Sequence, residues 1–371
     1  MARPAFFLFS GPSRFAGLSR SRARLVLALL GALLALCLTA LAAPDPQAMG
    51  SATRNGTGQT DLMLYEKIVA GVRGGDNYYH VAADALRAGS YPLRPFLTFR
   101  MPSLATVLAA LPLWFPARYL LYALILCVAG AWSERLRGVL DRPLPAVAAL
   151  LLMLGSVLTF LQADLIPFHE IWAGLLVALS LALRRPGRWI EAVAVALAAM
   201  LIRETAALYV VLMLGFAWFE GQRREALGWG AALLLFGAAL AVHAVAVAGV
   251  TGPTDPASPG WAGLLGFGFF VKALTLATAL QMFPLWAAAL LTGLALFGWA
   301  SWRDSLGLRM SALLVAYAAA IGVFARVDTF YWALMVAPVV LLGLLFVPAA
   351  LRDLVTQALD KRRITVTRVT R

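Results

Sequence analysis

Charge is what this 371-residue chain has least of: 13% of its residues are charged, against 62% that are apolar. An ordinary soluble domain is roughly 45–50% apolar, so a water-soluble globule would have nowhere to put the surplus. There are two cysteines, Cys37 and Cys127, both inside apolar runs, and three histidines. That scarcity excludes a disulfide framework and argues against a structural metal cluster. Lysine is nearly missing too, with Lys67, Lys272 and Lys361 against a basic total of 31. Such arginine-for-lysine usage points to a GC-rich bacterial coding sequence. No Gly-rich phosphate loop, HExxH or GxSxG is present. The net charge of +13 invites a nucleic-acid reading, but the distribution of charge speaks against it.

What is present is a series of uncharged runs long enough to cross a bilayer. The expected class is all-α: a polytopic transmembrane bundle of about ten spans. Three regions follow: a basic cytoplasmic N-terminus over 1–24, a transmembrane module over 25–350, and a basic cytoplasmic tail over 351–371. After the run from Leu25 to Pro44, which reads as a retained first helix or as the core of a signal peptide, spans are expected near 116–133, 144–162, 170–183, 189–202, 204–219, 228–250, 285–301, 310–325 and 330–350. The apolar stretch 261–281 contains Lys272 and reads as interfacial. On this topology the inner segments carry the whole net charge and the outer ones balance to zero, as the positive-inside bias expects. Both termini are then cytoplasmic, in a bacterial inner membrane.

The outer loop over 44–115 is the least hydrophobic part. Its Gly/Ser/Thr cluster, which includes the glycosylation-like Asn55-Gly56-Thr57, reads as a loop. Asp61 then precedes Leu62, Leu64, Tyr65, Ile68, Val69 and Val72, an apolar stripe at helical spacing. Gly74-Gly75-Asp76 breaks that helix, and a second short one begins at Tyr78. Both are expected to lie on the outer membrane face. The stretch from Pro102 to Leu113 is too short to cross.

The outward polar residues form a short list: Asp61, Glu66, Asp76, His80 and Asp84; Asp164, His169 and Glu170; Arg203 and Glu204; Arg326, Asp328 and Tyr331. Arg203-Glu204 interrupts one long apolar run. It is either a hairpin turn at the headgroups or a cation held there for a lipid phosphate, which guanidinium suits. Asp61 is either a helix N-cap or a general base for an incoming hydroxyl. His169-Glu170 orients a sugar or terminates a span. His80 reads as a surface side chain and His243 as a packing residue within a span.

Together these segments resemble the GT-C superfamily of integral membrane glycosyltransferases. Asp61-Leu-Met-Leu-Tyr65 followed by Val72-Arg-Gly-Gly-Asp-Asn-Tyr-Tyr79 is similar to the acid-and-tyrosine pattern of that superfamily's first outer loop. Tyr91-Pro92-Leu93-Arg94-Pro95 and Leu201-Ile-Arg-Glu-Thr-Ala206 resemble later segments of its mannosyltransferase-like members. The resemblance implies an inverting transferase of the cell envelope that takes a sugar from a polyprenyl-phosphate donor to an acceptor on the outer face. Asp61 would be the base and Arg203 a ligand of the donor phosphate, with Tyr65, Asp76, His169, Glu170 and Glu204 as further substrate-binding candidates. No cofactor or metal is called for, although carboxylates at an outer face are also the residue type that holds a divalent cation. A transporter or flippase of a lipid-linked substrate and a lipid-linked glycan polymerase or ligase are the alternatives.

Overall fold

The computed structural model describes residues 11–46, 60–138 and 143–360. Asn55-Gly56-Thr57, the first ten residues and the last eleven lie outside that set. The described residues are all-helical, without a strand. Six helices are long and apolar enough to cross a membrane: Arg20–Leu41, Ala117–Leu136, Pro143–Leu161, Arg223–Ala248, Ser305–Phe324 and Ala337–Leu359. Shorter apolar helices, among them His169–Leu183, Ile190–Ile202 and Leu285–Ser301, fill in between them.

We number the α-helices as α1 (Arg20–Cys37), α2 (Asp61–Arg73), α3 (Tyr78–Ala88), α4 (Ser103–Ala110), α5 (Ala117–Leu136), α6 (Pro143–Val157), α7 (His169–Leu183) and α8 (Ile190–Ile202). The series continues with α9 (Ala207–Phe219), α10 (Arg223–Ala248), α11 (Gly266–Leu276), α12 (Leu285–Ser301), α13 (Ser305–Phe324) and α14 (Val347–Leu359). Side chains such as Leu227, Leu234, Val242 and Val245 on α10 are exposed. A row of exposed aliphatics makes sense against hydrocarbon and not against water.

Loop contacts sort into two opposite ends. At the terminal pole, the segment before α1 is tied down. Ser13 donates its backbone N–H to Asp353 at 2.7 Å, and Arg14 donates its own to the Ser301 carbonyl at 2.8 Å. Arg135 pairs with Asp304 at 3.3 Å, Arg184 with Glu225 at 2.9 Å and Arg309 with Glu220 at 2.6 Å. At the opposite pole lie the loop after α1, helices α2–α4, the α8–α9 turn and the segment between α10 and α11.

Two expectations need adjusting. The stretch expected as a basic tail over 351–371 starts as helix: α14 continues to Leu359 and packs beside α1. Arg20 and Arg24 both donate to the Ala358 carbonyl, which occupies groups a helix end leaves open. The segment over 330–350 is not a regular α-helix either. It winds as two tight 3-10 stretches, Phe330–Met335 and Ala337–Phe346, before becoming α14. Gly298 and Gly343 lie against each other's helix backbones, where a Cβ at either position would overlap a carbonyl. Gly174 of α7 meets the Leu334 carbonyl in the same way, bringing the Phe330–Met335 turn against α7.

Candidate functional site

A cavity opens at the pole away from the termini. Helix spacing builds its first wall. Asp61, Leu64, Tyr65 and Ile68 of α2 recur at three and four residues, so they share one face, and all four line the cavity. Tyr78, Ala82 and Leu86 of α3 make a second wall at the same spacing. Gly75, at φ 98°, supplies the left-handed turn that folds α3 back beside α2. Thr98, Phe99 and Arg100 at the end of a short 3-10 turn, Trp261 of the α10–α11 segment, and Arg326 and Tyr331 beyond α13 add to the lining.

The helix-cap role weighed for Asp61 belongs to its neighbour. Thr60 is the N-cap of α2 and accepts from the Met63 N–H at 3.2 Å. Asp61 sits inside the first turn, where the helix dipole favours its negative charge, and it faces the cavity. Among the described residues no cation lies at ion-pair distance from it.

Arg203 is placed differently from a phosphate ligand. Its side chain is fully buried and wedged between the carboxylates of Glu170 and Glu204. It does not line the cavity. The α8–α9 turn therefore holds a cation already neutralised on two sides. Glu170, brought in on α7, covers the side of the guanidinium that the sequence left open. Glu204 is shared: Arg100 approaches it from the cavity side at 3.6 Å. Arg100, Arg203, Glu170 and Glu204 thus form a balanced quartet, with only Arg100 reaching the cavity wall.

His169 is buried, and its imidazole lies edge-on to the Tyr65 ring with centroids 4.8 Å apart. Neither ring nitrogen has a hydrogen-bond partner among the described residues. Tyr65 links this inner layer to the cavity that Asp61 faces, and burial pushes its phenol above the ordinary value. Tyr78 shifts the same way for the same reason, while its hydroxyl donates to the Arg100 carbonyl at 2.6 Å. Both phenols therefore keep their protons at neutral pH. Asp76 is not brought in; it is exposed on the turn between α2 and α3. Of the predicted residues, Asp61 and Tyr65 line the cavity, and His169, Glu170, Arg203 and Glu204 form the layer behind it.

Arg100 and Trp261 escaped the sequence reading. Arg100 stands between Phe99 and Met101 at the end of the outer loop, and a lone cation among apolar residues is itself a signal of use. Arg326 is held by Asp328 at 3.1 Å and by the Pro259 carbonyl at 3.0 Å, and its guanidinium lies 5.2 Å over the Trp261 ring. Trp261 in turn stacks on Trp332 at 5.8 Å. The cavity thus offers one carboxylate, two guanidiniums, the phenol hydroxyls of Tyr65, Tyr78, Tyr91 and Tyr331, and an indole plate. No group of three or more His, Cys, Asp or Glu residues comes together as metal ligands among the described residues. Compared with protein-family models, curated proteins and solved structures, the chain gives no match.

Proposed function

We propose that this protein is a membrane glycosyltransferase that moves a sugar from a polyprenyl-phosphate donor to a hydroxyl acceptor with inversion. The observation that carries the reading is one cavity lined by a carboxylate, Asp61, and by two arginines, Arg100 and Arg326. Transfer from a phosphate leaving group needs little more. The acceptor O–H gives its proton to the Asp61 carboxylate while its oxygen bonds to the sugar's anomeric carbon. The bond from that carbon to the phosphate oxygen breaks, and its electron pair stays on the phosphate. Arg100 and Arg326 offset the charge that grows there. The phenols of Tyr65 and Tyr331 are placed to donate to phosphate or sugar oxygens, and Trp261 offers a flat apolar face for a sugar ring.

The donor phosphate is thereby assigned to Arg100 and Arg326, with Arg203 behind Arg100 as the group that fixes Glu204. We infer further that the arginine-rich terminal pole is cytoplasmic, that the cavity opens on the outer face of a bacterial inner membrane, and that the short helices complete about ten crossings.

The test is release of prenyl phosphate from a prenyl-phosphate hexose by the purified protein in detergent, with alcohols or sugars as acceptors. Asp61→Asn should abolish release while leaving the protein folded and inserted. Full activity in that variant removes Asp61 from the mechanism. A flippase would instead move the intact donor across a liposome membrane with Asp61→Asn and wild type alike.

A further inference from the structure

Arg100 and Arg326 line the cavity, yet each is already matched by a carboxylate. The quartet around Arg100 is balanced, with Arg100 and Arg203 set against Glu170 and Glu204. Arg326 pairs with Asp328 at 3.1 Å. Once these groups cancel, Asp61 leaves the lining with a negative charge that no cation offsets among the described residues. A polyprenyl-phosphate donor brings another, because a phosphodiester keeps an ionised oxygen at neutral pH. The loaded cavity is therefore anionic, although two of its lining residues are arginines.

The rings beside Asp61 are of the kind that accepts a cation. Tyr65 lies one turn after Asp61 on the same face of α2, and Tyr331 lines the same cavity. Phe168, buried behind the lining, packs edge-on against both phenol rings, with centroids 6.1 and 5.0 Å away, and so gives them one support. Trp261 already carries a cation of the protein, the Arg326 guanidinium. Among the described residues the cavity's tyrosine rings carry none. Aromatic faces next to a carboxylate attract an ammonium group twice over, through the ring quadrupole and through the full charge. A metal ion would need its ligands gathered at one point, and no three His, Cys, Asp or Glu residues converge among the described residues.

We infer that the acceptor is a cation: a sugar or alcohol with a protonated amine close to the hydroxyl that is glycosylated. Its hydroxyl meets the Asp61 carboxylate. Its ammonium lies against Tyr65 and Tyr331, in the field of Asp61 and of the donor phosphate. The donor's share of that field rests on the glycosyltransferase reading; the charge of Asp61 and the rings beside it do not. Holding an ammonium does not displace the base, because a carboxylate has two oxygens and accepts from both groups at once. A neutral acceptor forgoes the attraction, and an acidic one is repelled.

The experiment is isothermal titration of the full-length protein in detergent with four matched probes: glucosamine, N-acetylglucosamine, glucose and glucuronate. It is run at mildly acid pH, where the amine is protonated, with and without bound farnesyl phosphate. In wild type, glucosamine should bind about tenfold or more tighter than glucose, as expected of a charge-assisted contact. Glucuronate should bind weakest, N-acetylation should remove the advantage of the amine, and farnesyl phosphate should widen the gap. Asp61→Asn should close most of the gap in the unloaded protein. Tyr331→Phe should keep it and Tyr331→Leu should narrow it, since the ring face and not the hydroxyl holds the cation. Equal affinity for glucosamine and glucose, tightest binding of glucuronate, displacement of glucosamine by magnesium, or a preference that survives Asp61→Asn would overturn the inference. Should Asp61→Asn fail to fold, the comparison of glucosamine with its N-acetyl derivative in wild type decides alone. A protein with the expected preference that transfers no sugar keeps the cation site and loses the glycosyltransferase reading. A transferase that binds and glycosylates glucose and glucosamine equally does the reverse.

Discussion

Replacing Arg203 by methionine separates the two roles that a cation in an apolar setting can play. The guanidinium is completely buried, Glu170 is 1% exposed at its side chain, and Glu204 is shared with Arg100. Methionine fills much of the same volume but leaves the Glu170 carboxylate buried without its counter-charge. Breaking a buried pair from one side costs about 3–5 kcal/mol, whereas replacing both partners is far less costly. Arg203→Met should therefore sharply lower the unfolding midpoint in a mixed-micelle denaturant titration, and adding Glu170→Gln should restore much of it. The coupling between two such groups in contact should reach about 0.5–3 kcal/mol. Prenyl phosphate binding, measured on the folded fraction, should fall less than in Arg100→Met. Additive costs for the two substitutions, or a wild-type midpoint for Arg203→Met with binding lost, would show that Arg203 serves the ligand and not the fold.

Three other consequences are open to measurement. Arg100→Met should cost roughly one to two decades in prenyl phosphate affinity, because a charge-assisted hydrogen bond contributes about 1.5–3 kcal/mol; Arg100→Lys should recover part of that loss, and isothermal titration would report both. Gly174→Ala should destabilise by about 1–3 kcal/mol, since a methyl group there meets the Leu334 carbonyl, and thermal unfolding of the purified protein checks it. Arg87 holds the Asp255 carboxyl below its usual value of 3.8, with bonds of 2.9 and 3.2 Å. The folded value is the depressed one, so this latch is intact above that ordinary value and loosens as the pH falls through the lower, folded one. Hydrogen-exchange protection in the segment after α10, taken relative to the intrinsic rate at each pH, should drop at acid pH in wild type, and Asp255→Asn should make it low at every pH.

Apolar runs and charge placement were enough to make the chain a helical membrane protein, because hydrocarbon tolerates only segments that satisfy their own backbone and carry few charges. The same local logic put the stripe from Leu62 to Val72 on one helix with Asp61 at its start, and the structure shows Asp61 and Tyr65 both reaching the cavity. Long-range pairing was beyond it. Arg203 reads as a cation facing lipid until Glu170 arrives on a different helix, and its meaning changes from ligand to buried ion pair. Arg100 is about a hundred positions from the Glu204 it meets, with no spacing rule to join them. Thr60 took the cap that Asp61 was also fit to fill, a choice settled by which oxygen reaches the free N–H. Hydrophobic periodicity says which face of a helix avoids water, but not which neighbour it finds, because burial is non-directional and only the packed shapes and the pairing of buried charges choose the partner.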